Sequence, residues 1–228
     1  MDKLKDTLHK PITFRNQIHD LIKKRIIEGK YHPGERLYEA KLAREFEVSR
    51  SPIREAVRTL EEEGLLIVDE KAGIYVYKTS LKDLTDIYEC RKVLESLAIK
   101  LATIHATEDD LEEIEEIHMR AEDLYKQNES NLSKEMIYLY SSFHDAIIKA
   151  SKNIRLEKQL EKLRTLTFFY RQKNIENRER CKEILEQHAE ILRHLKNRDT
   201  KASSDAMFEH ITADLSYLTK IISEPSTH

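Results

Sequence analysis

The segment VSRSPIREAVRTLEEEGLLIV, residues 48–68, decides the fold of the first part of the chain. Its apolar side chains recur at the spacing of one helix face; they are Ile53, Val57 and Leu60. Ser49 or Ser51 can begin this helix and Gly64 can end it. Pro52 falls in the first turn, where the N–H that proline lacks would have no partner within the helix. The segment therefore predicts a short amphipathic helix that leads into an apolar strand.

Shorter elements flank this helix on both sides. Upstream, residues 12–29 place Ile12, Ile18, Leu21, Ile22 and Ile26 at helical intervals and stop at a glycine. Residues 38–48 predict a second, shorter helix after a turn that contains Pro-Gly. Downstream, residues 65–78 alternate apolar side chains around DEKAG, which is typical of a two-stranded hairpin. Three helices and a β-hairpin wing predict a winged helix-turn-helix, with the helix-turn-helix at about 38–57.

Glycine and proline are unevenly distributed along the chain. All four glycines lie within the first 73 residues, and neither residue type occurs from Ile74 to Glu224. A span without these breakers is expected to be helical, so its helices must end at caps. Ser80 and Thr107 each precede an acidic residue by three positions, as in a capping box, and further turns are expected near 131, 153, 177 and 199. The prediction is a mostly α protein: a DNA-binding domain at 1–78 and an all-α antiparallel bundle of six or seven helices at 79–224.

Composition excludes several classes of protein. The 228 residues are 39% apolar and 36% charged, and the net charge of −3 argues against a protein that coats nucleic acid indiscriminately. The opening MDKLKDTLHK lacks the apolar core of a signal peptide, and no apolar run approaches the roughly 20 residues that span a bilayer. Cys90 and Cys181 lie outside any CxxC pair. We therefore expect a cytoplasmic protein with reduced thiols and no membrane partner.

The start of the third helix carries the residues that could recognise DNA. Ser49, Arg50, Ser51 and Arg54 fall within its first turn and a half. In a helix-turn-helix this end of the second helix enters the major groove. Arginine there can bind guanine O6 and N7, while hydroxyls and N-terminal amides bind phosphate. The alternative is a solvated charged face, and spacing alone does not choose between the two.

Three histidines fall on apolar helix faces in the second domain. His188 and His210 are each 11 residues from Asp199, where a turn is expected, so an antiparallel hairpin would place them at the same height. His144 lies on the apolar face of another helix. A lone inward histidine is more often a satisfied core residue, but three neutral imidazoles would suit a divalent metal such as zinc or nickel. Other histidines have charged neighbours or lie near loops and ends, and are poorer candidates; they include His118 and His194.

Two parts of the chain resemble known protein families. Residues 29–76, from GKYHPGERL through VSRSPIREA and LEEEGL to GIYV, resemble the GntR-family winged helix. The stretches DLTDIYECRKVLESLAIKLA, FHDAIIKASKN, QHAEILRHLKNRD and MFEHI resemble the all-helical FCD effector domain of the FadR subfamily. This resemblance implies a homodimeric bacterial transcription factor that binds double-stranded operator DNA. It implies Arg50 and Arg54 as base or phosphate readers and Gly73 as the tip of the wing, with Lys71 as a phosphate contact.

The FCD resemblance also bears on the histidine site. It implies metal binding at His144, His188 and His210, together with an aspartate four residues before the first of them. This chain has Tyr140 there, and a phenol with a pKa near 10 is a poor anionic ligand at neutral pH. Asp145 cannot replace that carboxylate easily because it points about 100° away round the helix.

An organic acid is the effector that the FCD resemblance implies. We expect Arg91 to bind its carboxylate, because this arginine lies on an otherwise apolar helix face. An internal ion pair of Arg91 with Glu95 or Glu89 is the alternative. Tyr140 is expected to line the same effector site.

These features predict a sequence-specific transcriptional regulator, in particular a repressor that a small organic acid releases from its operator. A metal-free sensor, in which Tyr140 donates a hydrogen bond to the acid, is one alternative. A metal-dependent hydrolase that uses the three histidines is another, although the sequence has no HExxH, no GxSxG and no carboxylate placed as a general base. We expect that the protein is not an enzyme.

Overall fold

The computed structural model describes residues 14–69, 73–78, 80–127 and 134–223, and the chain divides after Lys78 into two compact units. The described residues of the N-terminal unit form three helices and three short strands. In chain order these are α1 Phe14–Ile27, β1 Arg36–Leu37, α2 Glu39–Glu45, α3 Arg50–Glu62, β2 Leu66–Asp69 and β3 Gly73–Val76. The predicted winged helix-turn-helix is thereby confirmed.

The core of the N-terminal unit forms where α1 packs against α3. The buried side chains are Ile18, Ile22 and Ile26 from α1, and Ile53, Ala56, Val57 and Leu60 from α3. Leu21 belongs to the predicted apolar stripe of α1 but is partly exposed, because it lies off the face that contacts α3. The apolar face of α3 therefore points inward and leaves its arginine-bearing face to solvent.

The wing is a three-stranded antiparallel sheet in the order β1-β3-β2, whereas the sequence predicted two strands. The strand that was missed, β1, has only two residues, too few to show an alternating pattern. Its Arg36 pairs with Tyr75 of β3. Gly73 has φ +110°, and a Cβ there would lie 3.0 Å from Nε of Arg36, so this position requires glycine.

In the part of the C-terminal unit that the structure describes there are six helices, within the predicted range of six or seven. They are α4 Leu81–His105, α5 Glu108–Gln127, α6 Lys134–Ala150, α7 Ile154–Ile175, α8 Arg178–Lys196 and α9 Thr200–Ser223. Five of the predicted turn residues act as N-caps through their side chains: Ser80, Thr107, Asn153, Asn177 and Asp199. The turn predicted near 131 lies outside the described residues. None of the helices in the described part of the chain is long and apolar enough to span a membrane.

Helix α4 is the central element of this unit and packs most extensively against α9. The core contains Tyr88 and Ile99 from α4, Phe143 from α6 and Ile211 from α9. Cys181 is buried on α8, and burial raises the pKa of its thiol to about 11, while Cys90 is exposed on α4. The buried faces of α4, α6, α8 and α9 meet in one core. Polar side chains on those faces can therefore contact one another.

The predicted capping box at the start of α5 forms reciprocally. The N–H of Asp110 donates to Thr107 Oγ1 at 3.2 Å, and the N–H of Thr107 donates to Asp110 Oδ2 at 2.8 Å. Lys152 Nζ lies 2.6 Å from the same carboxylate. Burial works to raise the pKa of Asp110, but Lys152 and Thr107 outweigh it and lower the pKa to about 2.

Asp110→Asn is expected to reduce the free energy of unfolding by about 1 kcal/mol at pH 7, because the cap and the ion pair are weakened. The pKa of Asp110 is lower in the folded state than its ordinary 3.8. Its contribution to the free energy of unfolding is therefore complete above about pH 3.8. The contribution is then lost as the pH falls toward about 2. Urea unfolding of both proteins at pH 7 and pH 3.5 measures the difference. The neighbouring Asp109→Asn is the control, and an equal effect of the two substitutions would contradict the role of the cap.

Candidate functional site

The start of α3 presents four of the predicted DNA-contacting side chains to solvent. Ser49, Arg50, Ser51 and Arg54 are exposed. Ser49 is the N-cap in an extended conformation, and its side chain makes no capping hydrogen bond. Its hydroxyl and the first amides of α3, which lack partners within the helix, are therefore available to bind a phosphate.

Two of the arginines on this face of α3 form surface ion pairs. Arg54 Nε donates to Glu39 Oε2 of α2 at 2.9 Å, and Arg58 Nε donates to Glu62 at 3.3 Å. An exposed pair of this kind contributes little stability, so Arg54 can exchange Glu39 for a DNA group at small cost. Gly73 is the first residue of β3, where it pairs with Asp69, and Lys71 lies outside the described residues.

The three predicted histidines meet in the interior of the C-terminal unit. His144 comes from α6, His188 from α8 and His210 from α9, and all three are buried. Nε2 of His210 lies 3.3 Å from Nε2 of His188 and 3.3 Å from Nε2 of His144. Their ligand nitrogens all lie within 4.8 Å of one another. The expected symmetry of the α8–α9 hairpin accounts for the meeting of His188 and His210.

Neighbouring side chains orient two of these rings. Nδ1 of His144 lies 2.6 Å from Glu95 Oε2, and Nδ1 of His210 lies 2.8 Å from Gln187 Oε1. Because both partners accept hydrogen bonds, each Nδ1 carries the proton and each Nε2 presents a lone pair to the centre. The His188 ring stacks on Phe143 with centroids 4.1 Å apart. These contacts fix the rings with their Nε2 atoms converging.

The charge state of the cluster also suits a metal. The pKa of His210 is lowered to about 3, mainly by burial. Asp214 works to raise this pKa, whereas His144, Arg180 and Arg91 lower it further. The His210 imidazole is therefore neutral at pH 7, as metal ligation requires. Two nitrogens bound at about 2.0–2.1 Å to a tetrahedral ion lie about 3.3 Å apart, which matches both separations to His210. The two separations to His210 thus fit a divalent metal, and so does the neutral charge of its ring.

Tyr140 lies beside this cluster without joining it. Its hydroxyl donates to the Cys181 carbonyl at 2.8 Å, and burial raises the pKa of the phenol. The ring meets His188 edge-on, with centroids 5.5 Å apart. Tyr140 is thus a neutral side chain whose proton already has an acceptor. Asp145 pairs with Arg164 of α7 at 2.5 Å, and it is not part of the cluster.

Arg91 is 1% exposed and forms the internal ion pair that was the alternative to effector binding. Its Nε donates to Glu95 Oε1 at 2.6 Å, and its guanidinium lies 4.6 Å from the Tyr88 ring centroid. Nη1 and Nη2 of Arg91 have no hydrogen-bond partner among the described residues. Unpaired buried donors of a charged group are costly, so these two nitrogens indicate a site for an anion. The ion pair and a role in effector binding are therefore compatible.

Glu95 was predicted only as a possible partner of Arg91, and its contact with His144 and the position of Asp214 were missed from the sequence. The Glu95 carboxylate contacts both Arg91 and His144, and it lies one turn after Arg91 on α4. Asp214 accepts from Arg180 Nη2 at 2.7 Å. Burial works to raise the pKa of Asp214, but His210, Arg180 and Arg91 lower it, because all of them lie near its carboxylate. The spacing of four residues from His210 to Asp214, which places both on one face of α9, was a signal that could have identified Asp214.

His118, a poor ligand candidate from its acidic neighbours, is nevertheless buried. Its ring lies 6.1 Å from that of Phe143, and its Nδ1 has no partner within the described part of the chain. It is not part of the three-histidine cluster.

Comparison with known proteins relates both units to one class of protein. Residues 14–76 match the family described as bacterial regulatory proteins, gntR family, and residues 86–213 match the FCD domain. YdhC of Bacillus subtilis, an uncharacterized HTH-type transcriptional regulator, is 34% identical over 224 residues, which is 98% of each chain. The Nta operon transcriptional regulator of Aminobacter aminovorans is 30% identical over 194 residues, covering 84% of this chain and 88% of that protein.

A solved structure shows the same fold. Escherichia coli McbR/YncC superposes with a TM-score of 0.76 at 23% sequence identity, and the match covers 93% of this chain and 100% of that one. The winged helix and the helical bundle thus occur together in both chains.

Proposed function

This chain belongs to the GntR family of bacterial regulatory proteins, with an FCD domain as its C-terminal unit, and we propose that it is a homodimeric repressor whose operator affinity an organic acid controls. Its named relatives are transcriptional regulators and not enzymes. The proposal that an acid binds here rests on Nη1 and Nη2 of Arg91, which have no hydrogen-bond partner among the described residues, and on the nearby three-histidine cluster.

The DNA-binding role is assigned to the exposed face of α3. Arg50 and Arg54 would contact base edges or phosphates in the major groove, and Ser49 with the first amides of α3 would bind a phosphate. Gly73 allows β3 to begin close to the Arg36 side chain, and Lys71, predicted as a phosphate contact, remains a candidate for that role.

The effector site is assigned to the shared interior of α4, α6, α8 and α9. His144, His188 and His210 would hold a divalent ion, zinc or nickel, which would supply a Lewis-acidic centre for a carboxylate oxygen. Glu95 and Gln187 keep the Nδ1 protons of His144 and His210 away from that centre. The Arg91 fork would bind a carboxylate through Nη1 and Nη2.

Contacts of Tyr140 and Glu95 disfavour the two alternative functions. In the metal-free sensor, Tyr140 would donate to the acid, but its proton is donated to the Cys181 carbonyl. In the hydrolase, a carboxylate beside the histidines would act as a general base, but Glu95 already accepts from Arg91 and His144. We therefore assign Tyr140 a packing role at the edge of the effector site.

An apolar stripe on α4 supports the homodimer. Val93, Leu97 and Ile104 recur at helical spacing and are 58%, 43% and 55% exposed. Apolar side chains aligned along a helix are typical of a surface that another chain covers. A second copy would cover this stripe, and a dimer would carry two α3 helices for two operator half-sites, which lie about 34 Å apart in such complexes.

Release from DNA by a bound acid tests the proposed function directly. An operator would first be selected from a random duplex pool, and its affinity would then be measured with nickel-loaded protein plus pyruvate, succinate or citrate. At least one acid is expected to weaken binding by about 5- to 150-fold, the usual range of coupling between two sites. If an acid binds at saturation and operator affinity does not change, the release mechanism is wrong.

A further inference from the structure

Arg36 is an exposed arginine of the wing that the proposed DNA contacts do not include. It lies on β1, and its guanidinium carbon is 5.1 Å from the ring centroid of Tyr38. The same carbon is 5.8 Å from the ring centroid of Tyr75, the residue that pairs with Arg36 on β3. Contact with two aromatic rings restricts a side chain that would otherwise move freely. The guanidinium is therefore held in a defined place before any ligand arrives.

The charge of Arg36 is not neutralised by a neighbouring carboxylate. Three other arginines of the N-terminal unit each pair with a glutamate; they are Arg25, Arg54 and Arg58. Within the described part of this unit Arg36 has no such partner, and its guanidinium contacts the two tyrosine rings instead. Its positive charge is therefore available to an anionic surface outside the protein.

The guanidinium of Arg36 lies at the start of β3, the end of the wing where this strand leaves the hairpin turn. A Cβ at position 73 would lie 3.0 Å from both Nε and Nη2 of Arg36, and Gly73 is the first residue of β3. The minor groove of DNA is about 6 Å wide, too narrow for a helix of about 10 Å diameter but wide enough for one flat guanidinium. The end of the wing therefore carries a group that fits the groove that α3 cannot enter.

We propose that Arg36 enters the minor groove beside the bases that α3 reads and makes the protein prefer A·T pairs there. This inference rests on the proposed function, because it requires α3 in the major groove of an operator. Since β2 begins at Leu66, shortly after α3 ends at Glu62, the wing meets the DNA next to the same half-site.

The chemistry of the two kinds of base pair accounts for the preference. A·T-rich DNA has a narrow minor groove with an enhanced negative potential, which attracts an inserted arginine. A G·C pair places the N2 amino group of guanine in that groove, where it repels another donor. Arginine suits the role better than lysine, because its charged group is flat, more weakly hydrated and able to stack on the two tyrosines.

A base analogue separates the two grooves experimentally. An inosine·cytosine pair presents the major groove of G·C but lacks the N2 amino group, so its minor groove resembles that of A·T. Each base pair of the selected operator is replaced in turn by A·T, G·C and inosine·cytosine, and affinity is measured by fluorescence anisotropy. Beside the bases read by α3, we expect wild-type protein to bind A·T and inosine·cytosine alike and G·C at least about fivefold more weakly.

Substitutions of Arg36 assign that preference to its guanidinium. Arg36→Ala is expected to bind the three versions alike, with affinity for the best operator reduced by about fivefold or more. Arg36→Lys keeps the charge, so it should recover part of the affinity without the preference for A·T. Lys24→Ala is the control, because it also removes an exposed positive charge but from α1, where Lys24 lies 4.0 Å from Glu28. This control should keep the wild-type preference.

The outcomes that contradict the proposal differ from those that contradict the proposed function. If wild-type protein nowhere distinguishes G·C from inosine·cytosine, or if Arg36→Ala keeps the distinction, the minor-groove role is wrong while recognition by α3 stands. If Arg36→Ala loses the same affinity on every sequence, Arg36 contacts a phosphate and the proposal is overturned. If no operator can be selected, the proposed function fails and this inference falls with it. Arg36→Lys decides the matter should Arg36→Ala not fold.

Discussion

His188→Ala is expected to abolish metal retention while the protein still binds its operator. One of the three converging nitrogens is lost, and the remaining pair cannot hold a divalent ion with comparable affinity. The affinity for zinc or nickel should fall by more than the roughly 10- to 100-fold that loss of an outer-shell partner causes. Competition with a chromophoric chelator measures this change. Operator affinity without effector should stay within about threefold of wild type, since α3 belongs to the other compact unit.

Two further variants calibrate that result. His194→Ala removes another histidine of α8. His194 contacts Arg193 and lies outside the cluster, so metal affinity should not change. Glu95→Gln keeps all three nitrogens but weakens the acceptor of His144, so its effect should lie between those of the two histidine variants. Equal metal affinity in His188→Ala and wild type would contradict the site.

Arg50→Ala and Arg54→Ala are each expected to weaken operator binding by about 1–3 kcal/mol, or roughly 5- to 150-fold. Both side chains are exposed on the first turns of α3. If either arginine contacts a guanine, its loss should also relax sequence preference at that position; if it contacts phosphate, affinity should fall for all sequences alike. Fluorescence anisotropy on the selected operator and on single-base variants distinguishes the two roles.

Arg58→Ala is the matched control for these substitutions. Arg58 lies farther along α3, is exposed, and pairs with Glu62 of the same helix. Its loss should change operator affinity by less than either of the other two. If all three variants lose the same amount, the arginines act only through general electrostatic attraction, and recognition by the start of α3 is wrong.

Local pattern and chain symmetry were enough to predict much of the fold and the histidine cluster. The absence of glycine and proline from Ile74 to Glu224 indicated a helical bundle, and capping residues such as Ser80 marked helix starts. The equal spacing of His188 and His210 from Asp199 predicted their contact, because two helices joined by a tight turn rise at the same rate. The inclusion of His144 in the cluster followed from its position on the apolar face of its helix.

The remaining features depend on distances between helices that no local pattern encodes. Glu95 lies 49 residues from His144, and its contact with that ring depends on how α4 packs near α6. His118 has acidic neighbours in sequence, yet packing turns its ring into the core. The proton of Tyr140 is donated to a backbone carbonyl 41 residues away. A strand as short as β1 forms only because β3 offers it an edge.

Tyr140 also has a consequence for how such a site could diverge. A tyrosine codon becomes an aspartate codon through a single base change, so a neutral and a negatively charged version of this interior lie one mutational step apart. The phenol donates its hydrogen bond to the Cys181 carbonyl, so its loss would remove one contact between α6 and α8, while the three histidines would remain in their places in the sequence. Descendants of one ancestral gene could therefore exchange one class of acid signal for another while keeping the same scaffold and the same DNA-binding unit.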